Sequence, residues 1–492
     1  MRCFFRSRSP AGSVTVIAGA GPTGLALAHE LALAGVRTVV VESLAERVEQ
    51  TKGGTIQPRT AELLELRGLL EAMHARAVDR EPVGGHFATL PVPLDCSRWQ
   101  TRHPYPLSIR QDLVEEVLEH AALARGAGLR RGHPVTDAEQ DTEGVTVTTT
   151  ERTFRARYLV ACDGGHSTVR KLLRLPFPGR PGTFQAVLAE IRLASVSALV
   201  PERAGHISGL TRAAGGYWSM LVPVGGDRYR LTFAPEDEAA ALSGPVTESE
   251  IVDALTVVYG EDTRLAHVLA ASRWSDATRQ LDHYRHGRIL FAGDAAHIHP
   301  PLGGQGLNLG VQNAINLGWK LAATLHGWAP DGLLDTYQEE RHPAAARVLH
   351  HTSAQRVLAG PNPAEDVAAL RDIFTDLLSL PDTNHRLAGM MSGLDAPGRV
   401  PDAELVTDEG TTRLSALLRS GRGLLLDLTG GHPLPPGWSD RVDRVHAKPD
   451  HQLTEAALLL RPDGYRCWSP VGGPLEAALS RWFGVAATGD AV

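Results

Sequence analysis

Two glycine-rich elements, far apart in the chain, restrict its possible folds more than any other feature. The first is Gly19-Ala20-Gly21-Pro22-Thr23-Gly24, directly after an apolar run at 14–18. The second is Gly293-Asp294-Ala295-Ala296-His297, directly after Ile289-Leu290-Phe291-Ala292. It leads into Gly303-Gly304-Gln305-Gly306-Leu307-Asn308. A chain with both is expected to leave a dinucleotide at one end and return to it at the other.

The first element lies in a βαβ unit. Residues 14–18 read as a buried parallel strand and 22–34 as the helix after it, stopped by Gly35. Residues 36–41 form the second strand, which ends at Glu42. Here Gly19 permits a tight turn, Gly21 keeps side chains off a diphosphate, and Gly24 lets helix and strand pack closely. Pro22 and Thr23 open the helix, whose free N–H groups suit an anion. Glu42, roughly twenty residues on, is placed to accept ribose hydroxyls. None of this separates FAD from NAD.

The second element does. Asp294 is placed to bond a ribityl hydroxyl or to order water beside the diphosphate. Gly303, Gly304 and Gly306 expose bare backbone. N–H groups near Leu307 and Asn308, with the helix dipole, suit the negative charge of a reduced flavin. NAD enzymes need no second anchor of this kind, so FAD is the expected cofactor.

Helices are expected over 60–68 and around 113–118, the latter with a capping box of Asp112 and Glu115. Five prolines between 82 and 106 predict an extended excursion. Residues 145–150 and 154–158 read as a hairpin, and 159–161 as a buried strand. Between about 181 and 285 the pattern turns antiparallel, with strands at 186–193, 216–224 and 229–233 and the turn Gly225-Gly226-Asp227. A buried helix is expected over 311–325. Another over 335–348 is expected to be interrupted at Pro343.

The expected fold class is therefore α/β. A Rossmann-like FAD domain of the glutathione-reductase type takes 13–80, 105–180 and 281–397. An inserted, mostly antiparallel substrate-binding sheet takes 81–104 and 181–280. A C-terminal domain takes 398–492, and 1–12 form a disordered extension.

A net charge of −7, from 49 basic and 56 acidic residues, argues against nucleic-acid binding. No window is long and apolar enough to span a bilayer. Cys3, Cys96, Cys162 and Cys467 are scattered without a C-x-x-C pair. No metal site or redox dithiol is expected, and reduced thiols fit a cytoplasmic protein.

Four segments resemble the aromatic-hydroxylase class of flavoprotein monooxygenases, the para-hydroxybenzoate hydroxylase group. They are Gly19 to Gly24, Cys162-Asp163-Gly164-Gly165-His166-Ser167-Thr168-Val169-Arg170, Gly293 to His297, and Gly303 to Asn308. Within that class the chain is similar to actinomycete hydroxylases that tailor angucyclines, anthracyclines and tetracyclines. Leu333 to Pro343, Leu387 to Asp395 and Leu460 to Tyr465 carry this likeness.

The resemblance implies that Asp163 and Gly164 serve FAD and the nicotinamide donor, and that Gln111 contacts the flavin. It implies a thioredoxin-like C-terminal domain without its dithiol, in keeping with the lone Cys467. It further implies NADPH or NADH as co-substrate and O2. A flavin C4a-hydroperoxide would then hydroxylate a polycyclic aromatic polyketide in antibiotic biosynthesis.

Arg110 is placed to touch flavin or donor. Arg170 and Lys171 either meet a phosphate or are solvated. Catalytic candidates are His299, Pro301 and Gly303 of the flavin loop, although His297 and His299 equally read as structural histidines. Trp99, Tyr105, Tyr217 and Trp218 either line an aromatic slot or pack the core. A phenol can activate its own ring, so a protein base is optional. Baeyer–Villiger insertion, oxidative rearrangement and antibiotic inactivation stay open. A redox-inactive FAD scaffold is opposed by Asp294, the glycine run and Gln111. Halogenation is opposed by the lack of a W-x-W-x-I-P segment. A homodimer is left open.

Overall fold

The computed structural model describes residues 15–48, 53–78, 83–236, 244–360, 363–448 and 453–487. The expected extension at 1–12 and the strand residue Val14 lie outside the described residues.

The first unit is built on a six-stranded sheet. Its order is Arg285–His286, Ile289–Phe291, Tyr158–Ala161, Thr15–Ala18, Thr38–Val41, Gly128–Arg130. Neighbours are parallel except for the Arg285–His286 edge. Strands such as Thr15–Ala18 and Tyr158–Ala161 are buried at every residue, as parallel strands covered by helices on both faces must be. Helices Pro22–Leu33 and Gln305–His326 pack together over this sheet.

The expected capping box at Asp112 and Glu115 does not form. The helix runs Gln111–Ala124 with Arg110 at its N-cap, so Asp112 already sits in the first turn, held by Arg110. Pro343 does not interrupt its helix either, which is continuous over Thr336–Leu358. Tyr337 and Ala345 are fully buried on either side of the proline and hold both halves in one core.

The second unit is a five-stranded antiparallel sheet. Its order is Thr211–Ala214, Tyr217–Gly225, Arg228–Pro235, Gln185–Ser195, Arg264–Ser275. One face buries Val187, Ala189, Ile191, Leu221, Leu231 and Phe233 against the helix Glu248–Tyr259. That helix was not anticipated, although Thr247 and Glu250 form its capping box.

The proline-rich excursion does not join this sheet as expected. Phe87, Leu90, Leu94 and Cys96 pack on Leu358, Leu378, Ala388 and Met391 of the helices Thr336–Leu358, Glu365–Leu378 and Pro381–Ser392. Its side chains are apolar enough to form a core with those helices, so they determine where it sits.

The third unit is another six-stranded sheet. Gly423–Asp427 lies inside it, parallel to Val442–Lys448 and antiparallel to Ala457–Leu460. Helix Leu475–Phe483 packs Leu479 and Phe483 on Leu425 and Leu459. Arg461 ties this unit to the first, bonding Glu340 at 2.6 and 2.9 Å and Asp463 at 2.7 and 3.0 Å. Arg67 makes a second tie. It grips Glu30 at 2.7 and 2.8 Å and donates to the Leu418 and Pro462 carbonyls. Cys96, Cys162 and Cys467 have no disulfide partners. Among the described residues, no helix is long and apolar enough to cross a membrane.

Candidate active site

Three motifs stand side by side because their strands do. Ala18, Ala161 and Phe291 are in register on three adjacent parallel strands. Gly19, Asp163-Gly164 and Gly293-Asp294 therefore leave the sheet at one edge. This is the carboxyl edge, where open α/β sheets bind ligands.

Gly19 has φ +103°, and a Cβ there would lie 2.4 Å from the Cys162 carbonyl oxygen. A Cβ on Gly24 would lie 2.0 Å from the Gly19 oxygen. Gly21 and Gly164, by contrast, would meet nothing within 4 Å. Two glycines thus close the turn, and two leave bare backbone facing open space. Gly21 is the N-cap of the following helix, which has no side-chain cap and no acid in its first turn. Glu42 tethers this loop: Oε2 accepts from Ala20 N at 2.7 Å and Oε1 from Leu44 N at 2.9 Å.

Thr23 was expected on the cofactor. Its hydroxyl is instead wedged at the junction of the two glycine elements. Cβ atoms on Gly293 and Gly310 would lie 2.6 and 2.2 Å from it. The two glycine elements are thus in direct contact.

Asp163 Oδ2 accepts from Val169 N at 3.0 Å, while Oδ1 is buried with no hydrogen-bond partner. Burial raises the carboxyl pKa above its ordinary value, against the pull of the Ser167 hydroxyl and nearby backbone N–H groups. Arg170 donates to the Gly165 carbonyl at 2.6 Å and the Ala295 carbonyl at 3.0 Å, and lies 3.8 Å over the Phe177 ring. It is a strut between the second and third motifs, whereas Lys171 is exposed.

Asp294 is exposed on the short turn Gly293–Ala295. Gly303 and Gly304 take φ of +77° and +62° to start the helix Gln305–His326, which has no side-chain cap and no acid in its first turn. Gly303 is covered by Met391, whose Cε would lie 2.3 Å from a Cβ there. Pro301, just before it, is exposed. A Cβ on Gly306 would lie 3.8 Å from His299 Nε2 and 3.9 Å from Asp294 Oδ1, so these residues border one space.

Residues 53–57, which sequence reasoning passed over, join the parts. Gly53 N donates to Gln111 Oε1 at 2.9 Å, and Gln57 N to Asn308 Oδ1 at 2.8 Å. Asn308 Nδ2 donates to the Thr55 and Gly304 carbonyls, and Gln57 Nε2 to the Gly303 carbonyl. Gln111 Nε2 donates to Glu115. The side-chain amides of Gln111 and Asn308 therefore position this segment, and Leu307 lies against Gly53. Arg110, expected on flavin or donor, clamps Asp112 through Nε at 3.0 Å. Only the Gly53-Gly54 pair hinted at this region in the sequence.

The antiparallel sheet turns its other face to the same place. A Cβ on Gly54 would lie 2.3 Å from Arg230 Nη1. Arg230 faces the wholly buried Glu190 across the strands. Burial lowers the guanidinium pKa, and the Glu190 charge opposes that. Neither residue was anticipated.

Strand alternation puts Trp218 on this face and Tyr217 on the opposite one. Tyr217 packs towards the helix Glu248–Tyr259, its ring 6.3 Å from Phe233. Trp99 is stacked on His385 at 4.5 Å and donates to the His385 carbonyl, so it belongs to the helical layer. Tyr105 is 40% exposed. Of the four aromatics expected in the pocket, only Trp218 shares a face with Arg230. His297 is wholly buried, with Nε2 3.1 Å from Asn313 Oδ1, and burial pushes its pKa down to about 3.

The family description "FAD binding domain" matches residues 13–352, and "Aromatic-ring hydroxylase, C-terminal" matches 396–486. The chain belongs to this family of FAD-binding aromatic-ring hydroxylases and is an FAD-dependent monooxygenase. It is 48% identical to the 12-dehydrotetracycline 5-monooxygenase/anhydrotetracycline 6-monooxygenase of Streptomyces rimosus, over 95% of this chain and 98% of that one. The solved anhydrotetracycline hydroxylase OxyS from Streptomyces rimosus superposes with a TM-score of 0.87 at 47% identity, covering 96% of this chain and 99% of that one. The Diels-Alderase PyrE3 of pyrroindomycin biosynthesis superposes with a TM-score of 0.84 at 39% identity, covering 96% and 100%.

Proposed function

We propose that this chain hydroxylates a polycyclic aromatic polyketide of the anhydrotetracycline type, with NADPH or NADH and O2 as co-substrates. The observation that carries this reading is the meeting of three motifs at one sheet edge, opposite a separate sheet face bearing Arg230 and Trp218.

The residues suit FAD. Two uncapped helix starts, bare backbone at Gly21 and Gly164, and the unpartnered Asp163 Oδ1 are what a ribityl diphosphate requires. In this reading Gly19, Gly21, Pro22 and Gly24 hold the diphosphate, and Glu42 the adenosine ribose. Asp163 and Asp294 face the ribityl chain. Backbone at Gly304, Gly306, Leu307 and Asn308 faces the flavin pyrimidine edge. Bound FAD would accept two electrons from the nicotinamide and activate O2. The chain's part is to orient the aromatic ring between residues 53–57 and the Arg230 face, and to keep water out.

The first unit is read as the glutathione-reductase type of FAD domain. The third is read as thioredoxin-like, supported by its mixed central strand and its helix, with Cys467 lacking a partner. The domain limits proposed from sequence are kept, except that the excursion at 83–104 is assigned to the helical layer. The unpaired cysteines support a reducing, cytoplasmic setting.

The test is product mass after incubating FAD-loaded protein with NADPH, O2 and anhydrotetracycline. One added oxygen atom, with NADPH oxidation accelerated by substrate, is expected. A lactone product would favour Baeyer–Villiger insertion. NADPH oxidation indifferent to every polycyclic phenol tried would reject the reading.

A further inference from the structure

His299 and His351 are buried histidines that each keep one ring nitrogen, Nε2, without a hydrogen-bond partner. Their neighbours fix opposite tautomers. His299 Nδ1 lies 2.8 Å from the Pro300 carbonyl oxygen. A carbonyl only accepts, so Nδ1 carries the hydrogen and Nε2 is a bare lone pair. For His351 the logic runs through Gln355. Its Oε1 accepts from Ala88 N at 2.9 Å, so its Nε2 is the amide NH2. That NH2 lies 3.2 Å from His351 Nδ1, which must then be the acceptor, leaving the hydrogen on Nε2.

The result is one buried acceptor and one buried donor on neighbouring rings. Burial lowers the basicity of both, and His351 falls to about 3. After burial, the charge of His299 is the largest influence on His351. Leaving such groups unmatched costs about 1–3 kcal/mol each, so a site that keeps both invites a ligand with a matching group. His299 also borders Gly306 and Asp294, at the start of the flavin helix.

We propose that this pair binds one phenolic hydroxyl of the substrate, with His299 as its base. This rests on the hydroxylase reading above. The phenol O–H donates to His299 Nε2, and the phenol oxygen accepts from His351 Nε2–H. On proton transfer the O–H bond breaks and an N–H bond forms at His299. The oxygen keeps the electron pair, and the phenolate is held by His351. The imidazolium is favoured by the nearby Asp294 carboxylate. A phenolate is more electron-rich at its ortho and para carbons than a phenol, so it attacks an electrophilic oxygen faster. The proton returns from His299 to the phenol oxygen as the newly oxygenated carbon releases its hydrogen as H+. Gln355 is a positioning residue that acts through His351.

FAD-loaded protein labelled with 15N-histidine tests the pair, with 1-naphthol as the probe and with His299→Gln and His351→Gln to assign the signals. The nitrogen shifts should show Nδ1 protonated in His299 and Nε2 protonated in His351, and 1-naphthol should move both Nε2 signals. In turnover, His299→Gln should lower kcat at least tenfold with KM little changed, and His351→Phe should raise KM about tenfold. Reversed tautomers, or Nε2 signals unmoved by saturating 1-naphthol, would overturn the assignment. If anhydrotetracycline is not oxygenated while 1-naphthol still moves both signals, the substrate reading falls and the histidine pair stands.

Discussion

The glycine-lined edge of the first unit and the joint to the third unit treat their polar groups in opposite ways. At the joint, Arg461, Glu340, Asp463, Asn316, Trp319 and Lys320 satisfy one another almost completely. At the edge, two helix starts have no cap and the Asp163 Oδ1 has no partner. Unused bonding capacity is costly unless a ligand completes it. A saturated network serves shape alone. The difference separates a binding surface from a structural seam without reference to any relative.

The hardest test of that contrast is Arg461→Met. It leaves the buried Asp463 carboxylate without its main partner, an arrangement that costs about 3–5 kcal/mol. Denaturant unfolding should show a loss of that order, while FAD affinity below the transition should stay within about twofold. A large fall in FAD affinity in folded protein would show that the seam and the cradle are coupled.

The seam also has a signature in acid. Burial alone would raise the Glu30 carboxyl, but the Arg67 guanidinium overrides it and holds the pKa at about 2, below the ordinary 4.5. A depressed carboxylate contributes stability above its unfolded pKa and loses it as pH falls through the folded one. Stability should therefore decline between pH 4.5 and 2, by at most about 3 kcal/mol from this group. Replacing both partners, Glu30→Leu with Arg67→Met, leaves no unpaired charge and should flatten the acid limb of a pH–stability curve by up to one proton. An unchanged slope would remove Glu30 from the account.

At the cradle the expectation reverses. Asp294→Ala should reduce FAD affinity about 10–100-fold, the equivalent of a lost hydrogen bond to a charged group, with little change in apoprotein stability because Asp294 is exposed. Fluorescence titration of apoprotein with FAD reads this directly. Full flavin occupancy in the variant would remove Asp294 from the cofactor site.

Both glycine elements and their partner strands were legible because each uses local physics: an apolar run, a backbone only glycine can adopt, and a helix start. The antiparallel strands were legible from alternation, within two residues at each end. The missed features depend on distant parts of the chain. Arg230 and Glu190 matter only because strand register sets them face to face beside Gly54. His351 sits in a polar run with no motif, and its tautomer depends on Ala88 through Gln355. Pro343 looked like a breaker because burial around it cannot be read locally.

Thr247→Ala, the smallest expected effect, lies in neither region and calibrates both. Thr247 Oγ1 accepts from Glu250 N at 3.3 Å, and Glu250 Oε2 accepts from Thr247 N at 2.8 Å. Arg273 holds the same carboxylate at 2.9 and 3.1 Å, so Glu250 stays in place when the threonine is lost. Only one helix N–H then loses its partner, and the cost should be about 1 kcal/mol, with FAD affinity unchanged. The helix Glu248–Tyr259 covers the sheet face turned away from Arg230. A cap defect there reaches the site only if the sheet transmits it, and a fall in FAD affinity with this variant would mean that cradle and seam differ in degree and not in kind.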